Sequence, residues 1–127
     1  MADYTQDYIA YRLSKSEEAF NDAQLLAQNG SWNSCVNRLY YSCYYMVSAV
    51  LLKNKITTQT HAGCKTQFGI NFVKTGKVSI EHGRLFSDLM DWRQKGDYGD
   101  MFDFDRDTTQ PLLPLVEKFL MSVRTLI

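Results

Sequence analysis

Apolar residues recur at Ile9, Leu13, Phe20, Ala23 and Ala27, the 3.6-residue spacing of a helix with one buried face. Asn29-Gly30 supplies a stop, and Ser31 suits the N-cap of a second helix. From Trp32 to about Lys53 the pattern changes. Trp32, Cys35, Val36, Leu39, Tyr40, Cys43, Tyr44, Met46, Val47, Val50 and Leu51 make this segment apolar on most sides, which predicts the central and most buried helix. Tyr40, Tyr41, Tyr44 and Tyr45 form adjacent pairs one turn apart, so their hydroxyls are expected to reach buried polar partners or the surface.

Asn54 to Thr60 reads as a loop, followed by a shorter helix over Gly63 to Val73 that ends near Thr75-Gly76. Ser79 is placed to cap the next helix, which runs to about Lys95 with Leu85, Phe86, Leu89, Met90 and Trp92 inward. Gly96 to Asp107, rich in Gly and Asp, reads as a loop. The last helix starts near Pro111, with Pro114 still in its first turn and Leu112, Leu115, Val116, Phe119, Leu120, Val123 and Leu126 as its apolar stripe. No segment alternates cleanly with period two, so no sheet is expected. Short connections favour antiparallel neighbours. The expected fold is all-α: an up-and-down antiparallel bundle of four long helices plus one short one, in a single domain spanning residues 1–127.

Composition narrows the function classes. Formal net charge is zero, so the whole molecule has no bulk attraction to nucleic acid or membrane. The distribution is uneven. Lys53, Lys55, Lys65, Lys74, Lys77 and Arg84 face only Glu81 within residues 53–84, and seven aspartates face Arg93, Lys95 and Arg106 within residues 88–107. These blocks read either as a polyanion patch beside an acidic rim or as two solvated faces that partly neutralise each other. Met1-Ala2-Asp3-Tyr4 lacks the basic and apolar regions of a leader, and no apolar stretch approaches a membrane span, so a cytoplasmic, membrane-free protein is expected. An odd set of cysteines, Cys35, Cys43 and Cys64, argues against a disulfide framework and reads as small buried hydrophobes in a reducing compartment.

Metal chemistry finds no ligand set. Cys35 and Cys43 stand about two turns apart, His61 and Cys64 make only a pair, and Asp103 and Asp105 lack the Gly and Glu of a calcium loop. No metal and no cofactor is expected. The densest constellation is Asp91-Trp92-Arg93-Gln94-Lys95-Gly96-Asp97-Tyr98-Gly99-Asp100. An arginine at a helix end, with a carboxylate and a tyrosine within one turn, can grip a phosphate or a partner carboxylate. Equally, Arg93 can pair internally with Asp97 or Asp100 to fix the loop while Tyr98 packs.

Asn37-Arg38-Leu39-Tyr40-Tyr41, Thr60-His61, Phe72-Val73-Lys74-Thr75-Gly76 and Arg93-Gln94-Lys95-Gly96-Asp97-Tyr98-Gly99-Asp100, in this order, resemble the HEPN domain family, in particular a small prokaryotic branch of it, from about Tyr8 to Val123. The resemblance implies a helical bundle forming a homodimer and a nucleotide- or RNA-binding role. It also implies a link to toxin–antitoxin pairs with a nucleotidyltransferase partner. Many members are metal-independent ribonucleases with an Arg, four to six residues, then His. Arg93 matches that arginine, but no arginine in this chain has the histidine at that spacing, and Asp97 and Tyr98 occupy its region. A carboxylate titrating near ~4 or a phenol near ~10 is a poor base at neutral pH.

Three readings follow. In the first, Arg93 contacts phosphate, Asp97 orients Arg93 or a sugar hydroxyl, Tyr98 stacks or hydrogen-bonds, and Arg38 and Tyr41 form the opposite wall. In the second, a degenerate ribonuclease uses Asp97 or His61. In the third, the domain is a non-catalytic, antitoxin-like interaction module in which Arg93 and Asp97 hold only structure. His61 is expected either to act at a distance in sequence or to cap the short helix, and His82 to be exposed in the first turn of its helix.

Overall fold

A computed structural model describes residues 3–127; Met1 and Ala2, read above for a leader pattern, lie outside the described residues. Helices α1 (Thr5–Gln28) and α2 (Trp32–Lys53) form an antiparallel pair, followed by the short α3 (His61–Phe68). A π-helical turn, Gly69–Val73, extends α3. Then come α4 (Ile80–Tyr98), the single turn α5 (Arg106–Thr109) and α6 (Leu112–Arg124). Among the described residues there is no strand, and no helix is long and apolar enough to cross a membrane. The chain forms the expected all-α bundle, with the four long helices and the short α3, and adds the single turn α5.

The turn between α1 and α2 is a Schellman motif. Ser31 N–H donates to the Leu26 carbonyl (2.9 Å) and Gly30 N–H to that of Ala27 (3.1 Å). Gly30 sits at φ +74°, a left-handed conformation that favours glycine. Ser31 holds the N-cap position but does not cap; its hydroxyl accepts from Asn29 Nδ2 (3.1 Å) instead. Ser79 does cap α4, accepting from the His82 N–H (3.1 Å).

As its pattern predicts, α2 is the central helix, packing against α1, α3, α4 and α6. Cys35, Val36, Leu39, Tyr40, Cys43, Val47, Ala49 and Val50 are completely buried. The cysteines are free and buried, and loss of solvation pushes the Cys35 and Cys64 thiols up to about 11 and about 12. A stacked pile of rings crosses the centre: Phe86 of α4 lies 6.0 Å from Tyr40, nearly parallel to it, and 6.1 Å from Phe119 of α6 at an inclination of 30°. On α6, Leu112, Val116, Phe119 and Val123 carry the buried stripe, while Leu115, one position off it, is 47% exposed.

The structure departs from the sequence pattern in two places, each for its own reason. Gly96 to Asp107 reads as a loop, yet α4 continues through Gly96 to Tyr98 and α5 begins at Arg106. The cause is long-range. Asn33, on the first turn of α2, donates from Nδ2 to the carbonyls of Gly96 (3.3 Å) and Phe102 (3.3 Å) and to Asp103 Oδ1 (3.2 Å). Its Oδ1 accepts the Phe104 N–H (2.7 Å). One amide thus ties the end of α4 and the following segment to α2. Asp105 then caps α5 in a reciprocal box with Thr108. The second misreading concerns His82, which is half-buried rather than exposed: its ring lies 5.6 Å from Phe119 and its Nδ1 is buried without a partner.

Replacing Asn33 by Ala removes these bonds together. Stability is expected to fall by roughly 1–3 kcal/mol in urea denaturation, with faster amide exchange at Phe104. Unchanged exchange there shows that the segment is held by other contacts.

Candidate functional site

The polar corner is built where α2, α3 and α4 meet. Arg93 and Asp97 are one turn apart on α4, and Asn37, Arg38 and Tyr41 lie on the facing side of α2. Asn37 Nδ2 donates to Asp97 Oδ2 (2.9 Å), and its own Oδ1 accepts twice from Arg38, from Nε (3.0 Å) and from the Nη2 group (2.8 Å). One amide therefore aligns a carboxylate and a guanidinium. Arg93 Nη1 is 3.7 Å from Asp97 Oδ2, a loose ion pair with no hydrogen bond, and its Nε is buried without a partner.

Both guanidinium groups rest on tyrosine faces. The Arg38 centre lies 5.0 Å from the Tyr41 ring; that of Arg93 lies 5.6 Å from the same ring and 5.2 Å from Tyr40. Such contacts hold a cation through the ring quadrupole and leave its in-plane N–H donors free.

His61 completes the corner from the first turn of α3. Thr60, not His61, caps that helix, accepting the Gly63 N–H at 2.9 Å. The imidazole stacks on Tyr44 with ring centres 4.4 Å apart. Its Nδ1 is 2.6 Å from the Tyr40 hydroxyl. Tyr40 is completely buried and burial pushes its phenol well above the ordinary range, so it stays protonated; its O–H has no other partner among the described residues and donates to Nδ1. His61 Nδ1 is then the acceptor and Nε2 carries the ring proton. Burial, and after it the nearby Arg93 charge, holds the His61 pKa below its ordinary 6.5. The imidazole is neutral at pH 7.

The structure thus brings Arg93, Asp97, Arg38, Tyr41 and His61 to one corner. Tyr98 is not among them: it is 75% exposed and lines a shallow depression with Asp91, Gln94, Lys95 and Gly99. Sequence reasoning missed the aligning role of Asn37 and the tie from Tyr40 to His61. The adjacency of Asn37 to Arg38 was the only signal for the first, and nothing local signals the second. Among the described residues no cluster of three or more His, Cys, Asp or Glu side chains could hold a metal ion.

The HEPN domain model matches residues 9–126. A UPF0332 protein of Thermotoga maritima is 36% identical over 119 residues, covering 94% of this chain and 90% of that protein. Two proteins of Methanocaldococcus jannaschii, each named "Putative toxin", are also similar. One is 27% identical over 88% of this chain and 76% of its own length. The other is 31% identical over 65% and 62%.

The lowered His61 pKa has a sign that can be tested. Between the folded pKa and 6.5 the unfolded chain binds the extra proton. The stability tied to neutral His61 is therefore complete above pH 6.5 and lost as pH falls through the folded pKa. Denaturation midpoints are expected to drop on acidification below 6.5, with this component absent in His61→Gln. An NMR titration giving His61 a pKa above 6.5 contradicts the burial argument.

Proposed function

Because the chain belongs to the HEPN domain family, we propose that it is a nucleotide- or RNA-binding module whose site is the corner of Arg93, Arg38, Tyr41, Asp97 and His61. The observation that carries this reading is the pair of guanidinium groups on Tyr41. Arg38 and Arg93 are held by ring faces and an amide rather than by tight carboxylate pairs. Their remaining N–H donors suit phosphate oxygens, which guanidinium forks bind bidentately. Neutral His61, with its proton on Nε2, adds a hydrogen-bond donor. Asp97 orients the set through Asn37. On this reading the domain spans the whole chain, works as a homodimer, and belongs to a toxin–antitoxin pair with a nucleotidyltransferase partner. The relatives named as putative toxins support the toxin part of this reading.

One observation favours a second reading, a metal-independent ribonuclease. On this reading His61 takes the place of the histidine absent from the Arg93 spacing, since its ring and the Arg93 guanidinium both pack on Tyr40 and Tyr41. Its tautomer points the other way. With Nδ1 engaged by Tyr40, Nε2 is a donor rather than a base.

Titration with ATP and a short single-stranded RNA separates these. Arg93→Ala is expected to weaken binding at least tenfold and to reduce the salt slope of RNA binding by about one. Generic RNA in EDTA is expected to stay intact. Cleavage that vanishes in both Arg93→Ala and His61→Ala establishes the ribonuclease. Binding to none of these ligands turns the assignment to a protein-interaction module.

A further inference from the structure

A cavity of about 320 Å³ opens on the flank of α4 turned away from the Arg93–Asp97 corner. Trp92 and Lys95 line it, and at about 100° per residue they project roughly opposite to Arg93 and Asp97. The walls are apolar and largely aromatic: Trp92 of α4, Phe102 and Phe104 of the following segment, and Leu112 of α6. The Phe102 and Phe104 rings meet edge to face at 5.0 Å, and Phe102 stays 37% exposed. Charge comes from Asp103 and Asp105 against Lys95, which leaves an excess of negative charge on the lining. The walls are fixed by the fold. Asn33 of α2 binds the Phe102 carbonyl, Asp103 Oδ1 and the Phe104 N–H. Asp105 Oδ1 accepts the Thr108 N–H (2.9 Å) and the Thr108 hydroxyl (2.8 Å). Gly96 leaves room for the Phe104 ring, which would stand 3.1 Å from a Cβ at that position. Met101 turns the chain at φ +56°, a left-handed conformation that persists only where surrounding bonds hold it. Both carboxylates use Oδ1 for structure. Among the described residues, Oδ2 of each has no hydrogen bond and neither group is in an ion pair.

We propose that this cavity binds an organic cation with an apolar stem: a guanidinium or alkylammonium group, presented by an arginine side chain of a partner protein or by a free small amine. Aromatic faces attract a cation through the ring quadrupole, indole most strongly. The free Oδ2 atoms of Asp103 and Asp105 accept charge-assisted bonds from its N–H groups. Trp92 and Leu112 cover its methylenes, as apolar surfaces cover the stems of long basic side chains. Other guests fit less well. A phosphate or carboxylate meets two like charges. A metal ion finds too few ligands, since no cluster of three or more His, Cys, Asp or Glu exists among the described residues. A neutral apolar guest fills the walls but strips water from two carboxylates without replacing it. The inference goes beyond the nucleotide-binding reading and does not depend on it, because it uses different residues on the other flank of α4 and a ligand of opposite charge.

The test follows the Trp92 indole NMR signal of the full chain during titration with three compounds. These are agmatine, the N-acetyl amide of arginine, and the N-acetyl amide of citrulline, the uncharged isostere of arginine. Both guanidinium compounds are expected to shift the signal to saturation, and the citrulline compound to bind about tenfold more weakly or worse. Tighter binding of the arginine amide supports the site and assigns it to a partner's side chain; tighter binding of agmatine supports it and assigns it to a free amine. Phe102 is partly exposed, so Phe102→Leu is expected to fold normally. It keeps apolar cover but loses the ring face, and should weaken the guanidinium compounds about tenfold, whereas Phe102→Tyr should retain them. Asp103→Asn with Asp105→Asn, which keeps the Oδ1 acceptors, should also weaken them. Lys95→Gln removes the one like charge and should strengthen them. Equal affinity for the arginine and citrulline amides overturns the proposal, as does weaker guanidinium binding in Lys95→Gln. Absence of any Trp92 shift with both guanidinium compounds overturns it too, and so does unchanged affinity in Phe102→Leu and the Asn pair.

Discussion

A phenol at the centre of a helical core brings in one polar atom that must be satisfied there. Tyr40 is that residue. Its ring lies parallel to Phe86 in the pile that joins α2, α4 and α6, and its hydroxyl is paired with His61 at the start of α3. The Arg93 guanidinium lies over the same ring, 5.2 Å from its centre. Core packing, the placement of the short helix and the seating of the cation therefore meet in one side chain. A methyl-sized shift of the core at this point is felt at the polar corner, because close-packed interiors transmit displacement.

The electrostatics of the corner follow from how its cations are held. A tight carboxylate pair would have neutralised Arg93 and used its donors. Instead Asp97 accepts its short hydrogen bond from Asn37 and stands 3.7 Å from Arg93. Ring faces supply the rest of the attraction, and they do so without occupying the guanidinium plane. The arrangement leaves charge and donors available at a half-buried position, where an anion meets less competition from water. The corner is thus assembled from two arginines, an amide, a carboxylate, an imidazole and the tyrosines of α2.

The legibility of these features differs by their range. The heptad-like recurrence on α1, the all-round apolar α2, the stop at Gly30 and the cap at Ser79 depend on residues within one or two turns, and each stands where the pattern puts it. The tail of α4 did not follow its composition. Gly96, Asp97 and Tyr98 read as a loop because local propensity disfavours them in a helix, yet Asn33, 63 residues earlier than Gly96, holds that end in place. His82 reads as exposed from its position in the first turn, and Phe119 of α6 covers it. Arg93, Asp97, Arg38, Tyr41 and His61 were all visible as residue types; their convergence was not, and Tyr98 went elsewhere despite being adjacent in sequence to Asp97.

The sequence by itself determined the helices, their order and the central position of α2, because backbone hydrogen bonding and amphipathic periodicity act over a few residues. It also determined the family, through short motifs in a set order. Only the tertiary structure decided that His61 and Arg93 pack on the same two rings, Tyr40 and Tyr41, and that Asn37 aligns Arg38 with Asp97. Those relations are set by how helices pack and by which buried polar atoms must find partners across the core, and neither is encoded in the spacing of neighbouring residues.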